Sequence, residues 1–210
     1  MTEDTSPENL RKFLESDDPA LVRMGISLAK GAGVAVTVED LKHFLKSDDV
    51  ETIKTGVMLA DEVGIGDEAM EMLCEPLGDE DVKVRRSAAI ALGSIGDARA
   101  VETLIEALGD SGLGVRQGAA KALGEIGDAR AVDALLDALK SGEPDSFGIR
   151  AIILALGKIG DVRAIVPLIE VEDRKSKVEA LKNIGEPAVE PLIKALEDNR
   201  AFVRGHAAEV

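Results

Sequence analysis

The chain has 210 residues, 45% of them hydrophobic and 31% charged, with a net charge of −15 and an isoelectric point near 4.6. This balance excludes a disordered chain, and the acidity speaks against roles that rest on binding nucleic-acid phosphates or anionic membrane surfaces. Aromatic residues make up only 2%, with no Trp and no Tyr, so the core must be built of Leu, Ile, Val and Ala, small enough for helices to approach closely.

The single cysteine, Cys74, rules out an intrachain disulfide and makes a reducing cytoplasm the expected compartment. The opening Met-Thr-Glu-Asp-Thr-Ser-Pro lacks the basic and apolar regions of a signal peptide. No apolar run approaches the length that spans a membrane. Acids are unevenly spread: residues 1–105 hold 22 acids and 11 bases, residues 106–210 hold 18 and 14. The N-terminal half is therefore the better placed to meet a basic partner.

In chain order, Ser6-Pro7 reads as a helix start with Pro at its first position, opening a lone helix over 7–15. Its Leu10-x-x-Phe13-Leu14-x-Ser16-Asp17-Asp18 returns 31 residues later as Leu41-x-x-Phe44-Leu45-x-Ser47-Asp48-Asp49. Thr37-Val38-Glu39-Asp40 resembles a cap with an acidic first turn. Helix pairs are predicted at about 20–46, 50–77, 81–108, 112–139, 145–171 and 174–197, with a further helix starting near Ala201. The clearest repeat is Val84 to Val101, which recurs almost unchanged as Val115 to Val132. Residues 1–210 thus read as one repeat array: diverged over 1–77, near consensus over 78–140, with one shortened repeat in 141–198 and a partial one at 199–210.

Within each pair the first helix, A, carries Val-Arg-x-x-Ala-Ala-x-Ala-Leu-Gly, apolar at the helical period. Gly93, Gly124 and Gly157 recur near its end, which points to close approach of a neighbouring helix. Gly then ends the helix in Ile95-Gly96-Asp97, Ile126-Gly127-Asp128 and Ile159-Gly160-Asp161. Asp97, Asp128 and Asp161 stand where a side chain can cap the second helix, B. B runs Ala100-Val101-x-x-Leu104-Ile105-x-Ala107-Leu108 and recurs at 131–139 and 188–196. Ile184-Gly185 follows Ile159-Gly160 by only 25 residues, which predicts a clipped A helix. Pro167 and Pro191 fall inside the B pattern, so those helices are expected to start late or kink. Stacked repeats need a polar cap at each end, and the chain stops inside the pattern Val203-Arg204-Gly205-His206-Ala207-Ala208. Either this last helix is the cap or the chain is a piece of a longer one.

Arg85, Arg116, Arg150 and Arg204 recur in helix A, with acidic loop residues Asp79, Asp81 and Asp110 nearby, so Arg–Asp pairs are expected to tie adjacent repeats together. The polar positions of helix B are Glu71, Glu75, Glu102, Thr103, Glu106, Asp133, Ala134 and Asp137, continued by the less acidic Val166, Pro167, Glu170, Glu190, Pro191 and Lys194. Together they outline an acidic strip suited to a basic protein partner. His43 is expected on a B helix at an exposed position, and Cys74 aligns with Ile105, Leu136, Ile169 and Ile193 as a small core residue. No EF-hand loop, phosphate loop or nucleophile elbow is present, and two isolated histidines cannot make a transition-metal site alone. No catalytic, metal or cofactor residue is therefore assigned. Ala88→Leu and Ala119→Leu are expected to overpack the contact between repeats.

The string Val-Arg-x-x-Ala-Ala-x-Ala-Leu-Gly-x-Ile-Gly-Asp-x-Arg-Ala-Val-x-x-Leu-Ile-x-Ala-Leu resembles the HEAT-like repeats first grouped with phycobilisome (bilin) lyases. The resemblance is strong over 79–140, good over 145–198 and partial over 1–77. It implies an all-α, right-handed α-solenoid of about six repeats, with B helices on the concave side and a protein partner bound there. Such a scaffold is expected to be a non-enzymatic monomer without a cofactor. The alternatives that the resemblance implies are bilin-lyase-like cofactor handling, or a regulatory subunit of a larger enzyme or complex. Deoxyhypusine hydroxylase, built of similar repeats, binds iron through His-Glu pairs. Here the histidines stand in His43-Phe44 and His206-Ala207, so that pattern is not met.

Overall fold

Apolar residues spaced three and four apart, broken by Gly-Asp turns, can bury their faces only as paired helices. The computed structural model describes residues 7–47, 50–141 and 146–208, and every regular element among them is helical. Ser6, Asp48, Asp49 and Val210 lie outside the described residues. The chain divides into two units, Met1–Pro76 and Leu77–Val210.

The first unit holds α1 (Pro7–Leu14), α2 (Pro19–Gly31), α3 (Lys42–Leu45), α4 (Val50–Val63) and α5 (Gly66–Cys74). Asp18 caps α2, accepting from the Ala20 N–H at 2.9 Å, with Pro19 at the first helical position where no N–H is needed. Thr37 and Asp40 form a reciprocal capping box, but on a 3-10 turn, Val38–Leu41, that leads into the single turn of α3. A Cβ on Gly25 would lie 2.8 Å from Phe13 Cβ, and one on Gly56 would lie 2.7 Å from Phe44 Cβ. The 31-residue beat thus preserves one contact, a glycine of the A helix against a phenylalanine of the helix before it.

The expectation for His43 is corrected. Its ring is half-buried against Phe44, and Nε2–H donates to the Ser16 carbonyl at 2.9 Å. That carbonyl lies just beyond the C-terminus of α1, where helix carbonyls lack partners. His206 does the same in the second unit, Nδ1–H donating to Ile169 O at 3.1 Å, near the end of a B helix. Both histidines are helix-end donors.

The second unit stacks the A helices α6 (Val82–Ile95), α8 (Leu113–Ile126), α10 (Ser146–Ile159) and α12 (Arg174–Ile184). They alternate with the B helices α7 (Val101–Ala107), α9 (Ala131–Lys140), α11 (Ile165–Glu170) and α13 (Val189–Leu196), and α14 (Ala201–Ala208) follows. Consecutive A helices pack along the stack, α6 on α8, α8 on α10 and α10 on α12. Backbone meets backbone at one point in each step. A Cβ on Gly93 would lie 2.6 Å from Ala122 Cα, one on Gly124 2.7 Å from Ala155 Cα, and one on Gly157 2.5 Å from Ala180 Cα. The next residue in this series is Lys182, not glycine, and there the close stacking stops: α14 packs on α11 and α13.

Gly96, Gly127 and Gly160 end their helices with φ of 78°, 75° and 75°, a left-handed conformation that other residues adopt at a cost. α12 has 11 residues where α6, α8 and α10 each have 14, the clipped helix that the short spacing predicts. The expectation for the prolines is corrected. α11 and α13 begin four or five residues after Gly160 and Gly185, as α7 and α9 do after Gly96 and Gly127. Pro167 and Pro191 are third residues of their helices, where an N–H would have no intrahelical acceptor.

Ala119 is fully buried between helices, whereas Ala88 at the equivalent place in α6 is half-buried. Ala119→Leu is therefore expected to cost about 1–3 kcal/mol by overpacking. Ala88→Leu should cost less, and urea unfolding of the two variants gives the order.

Candidate functional site

Two arginine series shape the site, and only one was assigned a role from the sequence. In the first, Arg85 and Arg116 turn back over the loop before their own helix. Arg85 Nη1 donates to Asp79 O at 2.8 Å and Glu80 O at 3.0 Å, and Arg116 Nη1 to Asp110 O at 2.8 Å and Ser111 O at 3.2 Å. Arg204 repeats this with Asp198 O at 2.7 Å and Asn199 O at 3.0 Å. Arg85 also reaches into the next repeat. Its Nε and Nη2 donate to both oxygens of Asp110 at 2.7 and 3.0 Å, with 11% and 13% of the two side chains exposed. Asp110 in turn accepts from the Gly112 N–H at 2.6 Å. The guanidinium holds the Asp110 carboxyl below its ordinary range, against the opposing effect of burial.

Arg150 does not belong to that series. Arg85 and Arg116 precede their helix glycines by eight residues, but Arg150 precedes Gly157 by seven. One residue is about 100° of helical rotation, so Arg150 shares its position with Arg86 and Gln117 and is exposed on the outer side of the A helices.

The second series comes from the Gly-Asp-x-Arg turns. Asp97, Asp128 and Asp161 each accept from the backbone N–H two residues on, at 2.9 Å, and bind the side chain of that same residue, Arg99, Arg130 or Arg163. Asp198 and Arg200 repeat the arrangement. The arginine hydrogen bonds are the foremost reason that these four carboxyls lie below their ordinary range. From their turns Arg130 and Arg163 each reach back one repeat. Arg130 donates to Ala98 O at 2.8 Å and pairs with Glu102 at 3.3 Å. Arg163 donates to Ala129 O at 3.0 Å and pairs with Asp133 at 2.8 Å. Arg200, in the loop between α13 and α14 rather than in a Gly-Asp turn, pairs with Glu170 at 2.7 Å.

Seen from this side, the residues expected to form an acidic strip divide into groups. Glu102, Asp133 and Glu170 are exposed; the first two hold an arginine of the following repeat, and Glu170 holds Arg200 from the loop before α14. Asp137 and Glu190 are exposed and pair along their own helices, with Lys140 at 3.4 Å and Lys194 at 2.8 Å. Glu106 is exposed and makes no ion pair among the described residues. Thr103 and Ala134 are half-buried between the exposed positions. Glu71 and Glu75 are exposed at the end of α5 in the first unit. The B face of the second unit is thus a row of carboxylates alternating with arginines, which the sequence shows only as carboxylates. The fixed offset of Arg99, Arg130 and Arg163 from the turn aspartates was the signal for the missing half.

Towards its end this face becomes apolar. Val166 takes the place of Glu102 and Asp133 and is exposed. The apolar stripe of α13 stays open, with Val189 53% and Ile193 55% exposed, although Val101 at the position of Val189 is fully buried. Cys74, aligned with Ile193, is half-buried at the end of α5. Among the described residues no group of three His, Cys, Asp or Glu side chains is placed to hold a metal ion, and no helix is long and apolar enough to cross a membrane.

Helix pairs joined by Gly-Asp turns, stacked glycine against alanine, define the class of the second unit, an all-α stack of HEAT-like repeats. Residues 70–147 match the HEAT repeat family, and residues 150–174 and 178–198 match the PBS lyase HEAT-like repeat, so the two families together take in most of the second unit. Among solved structures the chain is similar to the complex of CpcE and CpcF of phycocyanin lyase from Nostoc sp. PCC7120, at 27% identity over 82% of this chain and 74% of that one, with a TM-score of 0.51. It is also similar to an engineered protein, at 26% identity over 96% and 93% of the two chains with a TM-score of 0.38. Human deoxyhypusine hydroxylase matches at 20% identity over 88% and 74%, with a TM-score of 0.45. No curated protein sequence matches the chain.

Proposed function

We propose that this chain is a protein-binding scaffold that holds a partner protein on its B-helix face and performs no chemistry itself. The observation that carries the reading is the B face: charged side chains held one repeat apart by Asp-x-Arg turns, running into the exposed Val166. Protein interfaces combine an apolar centre with a polar, pre-oriented rim, and stacked repeats present such surfaces rather than enclosed pockets. Glu106, without an ion pair among the described residues, and Asp137, paired only along its own helix with Lys140, are the carboxylates of α7 and α9 left for a basic partner, because Glu102 and Asp133 already hold arginines. Both histidines serve helix ends, which supports binding over catalysis. We place the chain in a reducing cytoplasm on the strength of its one cysteine, and read it as a monomer until it meets its partner.

A second reading is favoured by a separate observation, the likeness to one member of a two-chain phycocyanin lyase complex. In that reading the partner is a second lyase chain, and the chain serves a bilin-lyase-like activity as a subunit. Affinity capture from source lysate tests the scaffold, comparing the native chain with Glu106→Lys/Asp137→Lys, which leaves the Arg130 and Arg163 pairs intact. A protein retained by the native chain and lost by the variant is expected. Retention by both would show that these carboxylates are solvated surface, and recovery of a second lyase chain together with bilin would favour the lyase reading.

A further inference from the structure

The acidity of the whole chain conceals a cationic face. Among the described residues, the A helices α6, α8, α10 and α12 carry eight exposed basic side chains and two exposed acidic ones, Glu125 and Glu179. The exposed charges of α7, α9, α11 and α13 run the other way, six acidic against two basic. The basic excess is thus confined to the A helices, whereas on the B face carboxylates and turn arginines nearly balance.

Across the cationic face runs an open groove of about 380 Å³ spanning α6, α8 and α10. Arg86, Lys121, Arg150 and Lys158 rim it. Its floor is apolar: Ile90, 42% exposed, with Ala151 and Leu154 from α10. Gly114 and Gly118 keep the middle of α8 low, so the floor is continuous between its neighbours. Lys158 is paired with Glu125 at 2.6 Å, whereas Arg86 and Lys121 make no ion pair among the described residues. Arg150 stands here, and not with Arg85 and Arg116, because of its one-residue shift in register.

We propose that this groove is a second binding surface, cationic where the B face is of mixed charge, and that its occupant is an acidic segment of another protein carrying an apolar anchor. The volume lies within the range of about 300–1,000 Å³ in which proteins hold ligands. A cationic rim over an apolar floor needs both an anion and an apolar side chain, and an acidic amphipathic segment supplies both. A phosphodiester chain supplies the charge, but its bases stack on aromatic side chains, and the groove has none. An anionic bilayer would meet the repulsion of a chain with net charge −15 over its whole surface. A peptide meets only the local field, since charges beyond about 8 Å are screened at physiological salt. This inference stands apart from the B-face reading: either surface can fail without the other.

The test is fluorescence anisotropy on the full chain with three synthetic 16-residue probes at about 50 mM salt, where surface charge is little screened. One probe is an amphipathic helix with Glu and Asp on one face and Leu and Phe on the other. The second replaces its acids with Lys, and the third is polyglutamate. The acidic amphipathic probe is expected to bind at least tenfold more tightly than the other two. Arg86→Glu/Lys121→Glu/Arg150→Glu should weaken it tenfold or more with an unchanged melting temperature. If the triple variant unfolds, Lys121→Glu alone should weaken binding severalfold. Equal binding by native and variant chains would overturn the proposal. So would tighter binding of a single-stranded oligonucleotide or a phosphatidylserine vesicle than of the acidic probe.

Discussion

Gly124→Ala is expected to lower the melting temperature by about 3–10 °C, the shift corresponding to about 1–3 kcal/mol of overpacking in a chain of this size. The expectation runs against helix propensity, which favours Ala over Gly by about 1 kcal/mol inside a helix. It rests on the added Cβ falling 2.7 Å from the Ala155 Cα, a backbone atom that cannot rotate away. The opposite sign is expected at Gly205 in α14, where an added Cβ meets nothing within 4 Å. Gly205→Ala should raise the melting temperature by about 1–4 °C. Ala155→Gly in the Gly124→Ala background should recover part of the loss, because it removes the Ala155 Cβ that lies 3.0 Å from the new one. Calorimetry on these variants decides the matter. Equal shifts at Gly124 and Gly205 would mean that the A helices are not in backbone contact.

Asp110→Ala is the second large effect, with an expected fall of about 4–8 °C. Asp110 is the point where two repeats and a loop converge: it takes both donors of Arg85 and caps the Gly112 N–H. Removing it leaves the Arg85 charge, nearly out of water, without its carboxylate, which costs more than the net worth of the pair. Asp110→Asn should cost less, since its amide oxygen can still accept from Gly112. The same residue sets a pH dependence. Its carboxyl is depressed in the folded state, so the stabilisation is fully present above the unfolded-state value of about 3.9 and is lost as pH falls through and below it. Asp97, Asp128, Asp161 and Asp198 act in the same direction. Their arginine partners are more exposed than Arg85, so solvent screens their share. Thermal melts should therefore change little between pH 7 and 5 on account of these groups and fall below about pH 4, less steeply for Asp110→Asn.

What the sequence made legible was whatever repeats with a local physical cause. The 31-residue beat placed the helix pairs, the 25-residue step from Gly160 to Gly185 shortened α12, and recurring Gly93, Gly124 and Gly157 pointed to close packing, which the structure locates at Ala122, Ala155 and Ala180. Contacts between repeats were less legible. Arg130 and Glu102 are 28 residues apart, Arg163 and Asp133 30, and nothing local joins them. The B strip therefore reads as bare carboxylate, and Arg130 and Arg163 carry no role in it. Arg150 misled because Ile149-Arg150 looks like Val84-Arg85, while the count to the glycine differs by one. His43 looked exposed because the Ser16 carbonyl that receives its proton belongs to another helix pair. The cationic face was hidden by summing charge over halves of the chain, when the basic excess is confined to the A helices.

On the proposed function, the chain acts by binding a protein on its B face. This is tested most directly by capture from source lysate with three baits in parallel: the native chain, Glu106→Lys/Asp137→Lys, and Arg86→Glu/Lys121→Glu/Arg150→Glu. At least one protein is expected to be held by the native chain and by the A-face variant but lost by the B-face variant. A partner profile that is the same for the native and B-face variant chains would contradict it.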